Sequence, residues 1–280
     1  MQSRSVYNME NLELYTLLNR VLADRGLDFT QYRPKCIERR IASRMRSTDT
    51  HTYAEYAAFI KRNPEELDKL LNSLTINVTE FFRDKEVFDV LRKDILPDII
   101  RGKEGRTKKT IRIWSAGCAD GSEAYSVAML LYDILGERMF SDFVVSIFAT
   151  DIDREIIKKA QAGIYAFGVH LKNVDAKFMR RFFNHTKNSE YAVSDNLRLI
   201  TRFKYHDLVR DVPLKYMDLI LCRNVFIYFS RELQQKVFSN FYKSLNKDGY
   251  LVMGRIETVW GEMQNYFRVL DRKNKIYEKI

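Results

Sequence analysis

The pattern of apolar and polar positions changes character near residue 80. From Met9 to Leu22, leucines fall at 12, 14, 17, 18 and 22, close to the helical period, which predicts a helix. A second helix is expected to begin at Pro34, since a proline in the first turn loses no hydrogen bond. Two more are expected over Tyr53 to Lys61 and from Pro64 to Leu74, with Asn63 as N-cap and Glu65 and Glu66 in the first turn, where acids suit the helix dipole. No run in this part alternates as a strand does. Residues 1–84 therefore predict a small helical domain closed by a linker, TINVTEFFRD (75–84). A helix from Lys85 to Ile100 and a basic loop, RGKEGRTKK, follow.

From Ile111 onward strands and helices alternate. IRIWSA, VVSIFATD (144–151), MDLILC (217–222) and YLVMG read as strands, with helices expected at 122–135, 153–162 and 231–245. The last segment, FRVLDRKNKIYEKI, reads as a hairpin around Arg272-Lys273-Asn274. This pattern predicts an α/β fold over residues 85–280, a doubly wound, Rossmann-like sheet; a terminal antiparallel hairpin after such a sheet resembles class I methyltransferases rather than dehydrogenases. One stretch interrupts the alternation. Within residues 177–206 a polar helix precedes EYAVS and LRLITRFKYH, joined through Asp195-Asn196, and a small antiparallel β-flap is expected there.

Composition narrows the function classes. The 280 residues are 46% hydrophobic and 30% charged, which is ordinary for a globular protein. No apolar run approaches the roughly 20 residues of a bilayer span, and MQSRSVYNMENLELY has no apolar signal core. Three widely spaced cysteines (Cys36, Cys118, Cys222) and four scattered histidines make neither a disulfide framework nor a metal-ligand set. A cytoplasmic protein without a metal is the expectation. The net charge of +10 predicts an acidic partner.

The candidate chemistry lies in WSAGCADGSEAYS (114–126) and FATDID (148–153). A strand runs into glycines and a helix, and the next strand ends on an acid. Glycines let the backbone approach a ligand, and an acid at the second strand end can accept from ribose hydroxyls. Gly117 and Gly121 are spaced GxxxG, and the phosphate-binding Lys-Ser/Thr is absent. A nucleoside cofactor without phosphates fits better than a dinucleotide, and S-adenosylmethionine is the common one. Asp151 is the expected ribose acceptor, with Asp153 capping the next helix. Arg223, Asn224 and Tyr228 lie at and beyond the end of MDLILC, where ligands gather in open parallel sheets.

Five segments, in order, resemble the CheR-type chemotaxis receptor glutamate O-methyltransferases: TINVTEFFRD, WSAGCADGSEAYSVAML, FATDIDREIIKKAQAGIY, DLILCRNVFIYF (218–229) and DGYLVMG (248–254). The pairing of NVTEFFRD with CRNVFIYF is specific; either glycine motif alone is weak. Two departures stand out. The family's Gly-Glu-Glu-Pro-Tyr-Ser is Gly121-Ser122-Glu123-Ala124-Tyr125-Ser126 here, and its Gly-x-Ser-Glu is Gly254-Arg255-Ile256-Glu257.

The resemblance implies methyl transfer from S-adenosylmethionine to receptor glutamates, leaving S-adenosylhomocysteine. It implies that Asn77, Thr79 and Arg83 reach the cofactor, that Glu123 lies near its amino group, and that Asp207 and Leu208 contact adenine. Arg83 and Tyr228 would hold the incoming carboxylate, Tyr228 beside the transferred methyl. Phe81 and Phe82 are expected in the core, and Cys118 and Cys222 as small packing residues. The loop His185 to Glu190 has no glycine and is short, which argues against tethering of a receptor tail peptide.

Residues 31–50 carry six cations (Arg33, Lys35, Arg39, Arg40, Arg44, Arg46) against two acids. On a helical wheel Lys35, Arg39 and Arg46 fall opposite Ile37, while Arg40 and Arg44 flank the Ile37–Ile41 stripe. A solvated face is the ordinary explanation of such a run. The resemblance implies instead docking to the acidic methylation helices of a chemoreceptor, through Lys35, Arg39, Arg40, Arg44 and Arg46. Two rivals remain: a nucleic-acid methyltransferase, against which CRNVFIYF lacks the Asn/Asp-Pro-Pro-aromatic motif, and a non-catalytic cofactor-binding sensor or scaffold. Neither nucleic acid nor membrane insertion is the expected partner.

Overall fold

The computed structural model describes residues 12–14, 16–19, 21, 29, 32–74, 79–186 and 189–280. The chain forms two compact units. One comprises Met1–Ile76 with Tyr228–Leu233, the other Asn77–Ile227 with Gln234–Ile280.

In the first unit the described residues between 12 and 21 are helical, and Leu14, Leu17, Leu18 and Val21 are buried. Three helices follow: α1 (Pro34–Ser47), α2 (Tyr53–Arg62) and α3 (Pro64–Leu74). Thr52 opens α2 with a capping box closed by Glu55. Asn63 does not cap α3 as expected. Its side-chain amide donates back to the Phe59 carbonyl at 3.0 Å, serving the last turn of α2. Ile37 and Ile41 of α1 join Tyr56, Ile60, Leu67, Leu70 and Leu74 among the buried apolar residues of the unit.

A polar cluster lies among these helices. Glu66 is buried, accepts both Arg44 Nε and Nη2 at 2.8 Å, and takes the Tyr56 hydroxyl at 2.8 Å. Burial alone would raise the Glu66 pKa; the Arg44 and Tyr56 bonds outweigh it and hold it below the usual value.

The second unit is built on a seven-stranded sheet. Its strands are β1 (Lys109–Ala116), β2 (Phe143–Asp151), β6 (Thr201–Tyr205), β7 (Met217–Cys222), β8 (Leu245–Met253), β9 (Phe267–Asp271) and β10 (Ile276–Lys279). The order is β6-β2-β1-β7-β8-β10-β9. The first five are parallel, and the last two close the edge as the expected antiparallel hairpin. The order reverses direction between β1 and β7, the place where such sheets open a crevice.

The helix Ser122–Leu135 packs against β1, β2 and β6 and is buried over most of its surface. The helix expected from Lys85 runs to Arg101 but passes through a π-turn, Leu91–Ile95. Pro97 explains it: the ring displaces the carbonyl four residues back, and a wider turn absorbs the conflict.

The flap is a three-stranded antiparallel sheet, β3-β5-β4, made from Ile164–Ala166, Glu190–Val193 and Phe183–His185. Its composition differs from expectation. LRLI lies in a helix, Asp195–Ile200, and TRFKY is the edge strand β6 of the main sheet. The spacing explains the helix: Leu197 and Ile200 are buried while Leu199 is 75% exposed, a three-residue repeat rather than an alternation.

Candidate functional site

At the reversal of the sheet, the carboxyl ends of β1, β2 and β7 carry Glu123, Asp151, Arg223 and Asn224, with the Arg83 carbonyl bonded to Arg223. The glycine loop after β1 is set by close approach. Gly117 has φ +78°, and a Cβ there would lie 2.5 Å from a Val225 methyl. Gly121 has φ +87°, and a Cβ would meet the Phe203 ring at 2.7 Å. The amides of Gly117 and Cys118 both donate to the Thr150 carbonyl, at 2.8 and 2.9 Å, which draws the loop onto β2. Ala119 is held in the left-handed region, φ +47°, and its N–H donates to Asp151 Oδ2 at 2.9 Å.

Asp151 ends β2 with 8% of its surface exposed. Its other oxygen accepts from the Asp153 amide at 3.0 Å. Asp153, not Asp151, caps the helix Arg154–Ala162, accepting from Glu155 and Ile156. A carboxylate has about four acceptor positions, and the backbone amides leave it acceptor capacity for a hydroxyl. Burial pushes the Asp151 pKa up to about 6, against the backbone amides of Asp153, Ala119 and Ile152, which oppose the rise.

Arg223 follows β7 and is buried. Its Nη2 donates to the Arg83 carbonyl at 2.9 Å and to Asp84 Oδ2 at 2.5 Å, and its Nη1 lies 3.4 Å from Glu123 Oε2. The guanidinium also stands 5.5 Å from the centre of the Phe88 ring. Glu123 accepts from Ser115 Oγ at 2.7 Å. Arg223 thus ties the end of β7 to the glycine-loop helix and to the segment carrying Arg83. That segment is bent by left-handed residues, Phe82 (φ +53°) and Asp84 (φ +58°), on either side of Arg83. Phe81 and Phe82 are core residues as expected: Phe81 stands edge-on to Tyr165, and Phe82 stacks on Phe178.

Asn224 is itself left-handed, φ +62°, and its buried Oδ1 has no partner in the protein. Glu257 explains how that geometry is held. This buried carboxylate accepts from Gly254 at 2.7 Å, Asn224 at 3.0 Å and Ile227 at 3.2 Å, all backbone amides. Gly254 is required for the fit, since a Cβ would come within 2.7 Å of Glu257 Oε2 and 2.8 Å of the Asn224 nitrogen. Burial raises the Glu257 pKa, and the amides counter it. Sequence reasoning noted the altered Gly254–Glu257 segment but assigned Glu257 no role. The signal was there: a lone acid three residues after a strand-end glycine.

Other residues turn inward. Asp207 follows β6 beside Asp151, since the His206 amide donates to the Asp151 carbonyl at 2.9 Å. Asp207 Oδ1 accepts from Val209 at 2.8 Å and Arg210 at 3.3 Å, so one oxygen is committed to its own turn. Leu208 is half-buried next to it. Asp120, inside the glycine loop, accepts from the Ser122 amide and hydroxyl and faces His170 at 3.4 Å. Burial raises both buried thiols, Cys118 and Cys222, well above their ordinary value. Thr79 is half-buried, and Asn77 lies outside the described residues.

Tyr228 belongs to the helical unit, as do Lys35, Arg39, Arg40, Arg44 and Arg46. Lys35, Arg39 and Arg46 are exposed. Arg44 is committed to Glu66, and Arg40 donates to the Ser73 carbonyl at 3.0 Å. The two arginines flanking the apolar stripe therefore have structural duties among the helices.

S-adenosylmethionine suits the residues present at the sheet reversal. Asp151 offers acceptors to ribose hydroxyls. The orphaned Asn224 Oδ1 and the Glu123 carboxylate offer acceptors to an ammonium group.

Comparison with known proteins agrees. Residues 77–276 match the family described as CheR methyltransferase, SAM binding domain, and residues 12–75 match its all-alpha domain. A chemotaxis protein methyltransferase of Listeria innocua serovar 6a is 33% identical over 246 residues, covering 88% of this chain and 90% of that protein. One from Borreliella burgdorferi is 31% identical over 258 residues, covering 91% and 90%. An uncharacterized 104.1 kDa protein of Rhodobacter capsulatus is 31% identical over 280 residues; this chain spans 29% of its length. The chain thus belongs to the CheR methyltransferase family, an S-adenosylmethionine-binding domain over residues 77–276 joined to the family's all-α domain.

Proposed function

We propose that this chain transfers the methyl group of S-adenosylmethionine to glutamate side chains of chemoreceptors, forming methyl esters, as part of chemotactic adaptation. One observation carries the reading: the strand-end set Asp151, Glu123, Arg223 and Asn224 is assembled in the same chain as the CRNVFIYF segment that contains the proposed catalytic tyrosine. The relatives named chemotaxis protein methyltransferases support the same substrate class.

When bound, the cofactor supplies an electrophilic methyl on a sulfonium. Asp151 accepts from the ribose hydroxyls, and Glu123 and Asn224 hold the methionine ammonium. Asn77, Thr79 and Arg83 complete the methionine end, and Leu208 with Asp207, whose second oxygen lies 3.9 Å from Arg210 Nε, borders the adenine. A glutamate is already ionised at neutral pH, so no residue has to remove a proton from it. Arg83 and Tyr228 orient the carboxylate in line with the methyl, Arg83 by a two-pronged bond and Tyr228 by its hydroxyl. Catalysis then rests on positioning and on exclusion of water. Residues 1–84 serve as the docking domain. Its exposed Lys35, Arg39 and Arg46 face the acidic receptor helices, without tethering of a receptor tail. No described helix is long and apolar enough to cross a membrane.

The test is incubation with methyl-labelled S-adenosylmethionine and receptor-containing membranes, followed by mild alkali. Label on a receptor-sized protein, released as methanol, is expected. Alkali-stable label would exclude a carboxyl ester. Tight cofactor binding with no label on any receptor would favour the sensor reading.

A further inference from the structure

We propose that Arg33 is a positioning residue for Tyr228, fixing the peptide that carries the tyrosine from the residue just before the basic helix α1. All the contacts lie within the helical unit, which includes Tyr228–Leu233. The Arg33 N–H donates to the Tyr228 carbonyl at 2.8 Å. Arg33 Nε donates to the next carbonyl, that of Phe229, at 3.0 Å. One residue thus holds two consecutive peptides.

The neighbours reinforce the hold. Tyr32 and Phe229 form an isolated antiparallel bridge, with their rings edge-to-face at 5.2 Å. Phe29 stands edge-on to Tyr32 at 5.1 Å, and both Phe29 and Phe229 are buried. Aromatic pairs of this geometry resist sliding as well as separation. With its carbonyl held and the following side chain buried, Tyr228 keeps little backbone freedom, which suits a hydroxyl that must meet a carboxylate in one orientation.

Arg33 differs in kind from the other cations of residues 31–50. It occupies the N-cap position of α1, with φ −62° and ψ 118°, and Pro34 begins the helix immediately after it. The proposal rests on the reading of Tyr228 as the residue beside the transferred methyl. It adds that the start of the docking helix and the catalytic tyrosine are held by the same residue.

Two variants test it in the full-length protein. Arg33→Met removes the Nε bond and keeps an unbranched apolar stem. Arg33→Pro removes both bonds, and a φ of −62° already suits proline. The readouts are kcat and KM for alkali-labile methylation of receptor membranes, the dissociation constant of S-adenosylhomocysteine by calorimetry, and the melting temperature. One lost hydrogen bond should lower kcat about threefold and two about tenfold. Receptor KM and S-adenosylhomocysteine affinity should stay within about twofold of the parent. In a Tyr228→Phe background, neither variant should lower kcat further.

Full kcat in both Arg33 variants would overturn the proposal while Tyr228→Phe remained slow. So would a loss confined to KM, or an equal further loss in the Tyr228→Phe background. A Tyr228→Phe protein at parental rate would instead overturn the tyrosine reading itself. If Arg33→Pro fails to fold, Arg33→Met carries the same comparison.

Discussion

Two aspartates two residues apart do different work because one is aimed at its own helix and the other is not. Asp153 spends its oxygen on the amides of Glu155 and Ile156, while Asp151 keeps acceptor capacity at the sheet edge. The Asp151 pKa of about 6 makes the difference measurable. In the folded protein Asp151 holds its proton to higher pH than in the unfolded chain, where it titrates near about 3.9. Its contribution to stability is therefore fully present below about pH 3.9 and lost as pH rises through about 6. Ligand binding runs the other way, because ribose hydroxyls bond more strongly to the anion. S-adenosylhomocysteine affinity should fall below pH 6, by up to about tenfold per unit. Asp151→Asn should weaken binding at pH 7 and flatten that dependence; calorimetry between pH 5 and 8 checks both. Asp151→Ala should raise the dissociation constant at least about tenfold, and an unchanged constant would remove the ribose assignment. The place of Asp151 at the end of the second strand, and the capping role of Asp153, were legible from position alone. The wiring of Arg223 was not. Its partners Asp84 and Glu123 are 139 and 100 residues away in sequence, and no local pattern announces which of many acids a buried arginine meets.

Elements with one dominant period were legible. The helix Ser122–Leu135 and the strand Met217–Cys222 have the boundaries read from the apolar runs. Elements decided by long-range pairing were not. The flap takes its first strand from Ile164–Ala166, three residues whose only argument for a strand is the partner Glu190–Val193. Helix α1 shows why charge counting needs packing beside it. Breaking a largely buried pair leaves an uncompensated charge, so Arg44→Ala should cost roughly 3 kcal/mol of stability in a urea titration. Reversing Lys35, Arg39 and Arg46 to Glu should leave the melting temperature nearly unchanged but raise the receptor KM. A fall in melting temperature comparable to that of Arg44→Ala would show that these residues too are structural. The loop after β7 depends on Glu257 in a comparable way. Glu257→Gln replaces one acceptor with a donor facing backbone N–H groups. It should weaken S-adenosylhomocysteine binding severalfold through displaced Asn224, with Glu257→Asp retaining more affinity than Gln. Equal affinity in the Gln variant and the parent would detach the loop from the cofactor.

At the scale of the whole molecule, the charge of +10 acts as a field. Screening shortens its reach from about 10 Å at 0.1 M salt to about 3 Å at 1 M. Receptor methylation at low substrate should therefore slow severalfold between 50 and 300 mM salt, with cofactor affinity little changed. A salt-independent kcat/KM would mean that receptor encounter does not use this charge. The change of period near residue 80 is a feature of the sequence, but the chain's later return to the helical unit was not legible in it. Six residues, Tyr228–Leu233, belong to that unit although the sequence around them reads as one continuous strand-loop-helix passage. For anyone transplanting receptor preference between relatives, this means the natural cassette comes in two pieces. A chimera exchanging only residues 1–76 would pair a foreign Tyr32-Arg33 with the resident Tyr228-Phe229, whereas one that also carries the hexapeptide keeps both halves of the joint from the same parent.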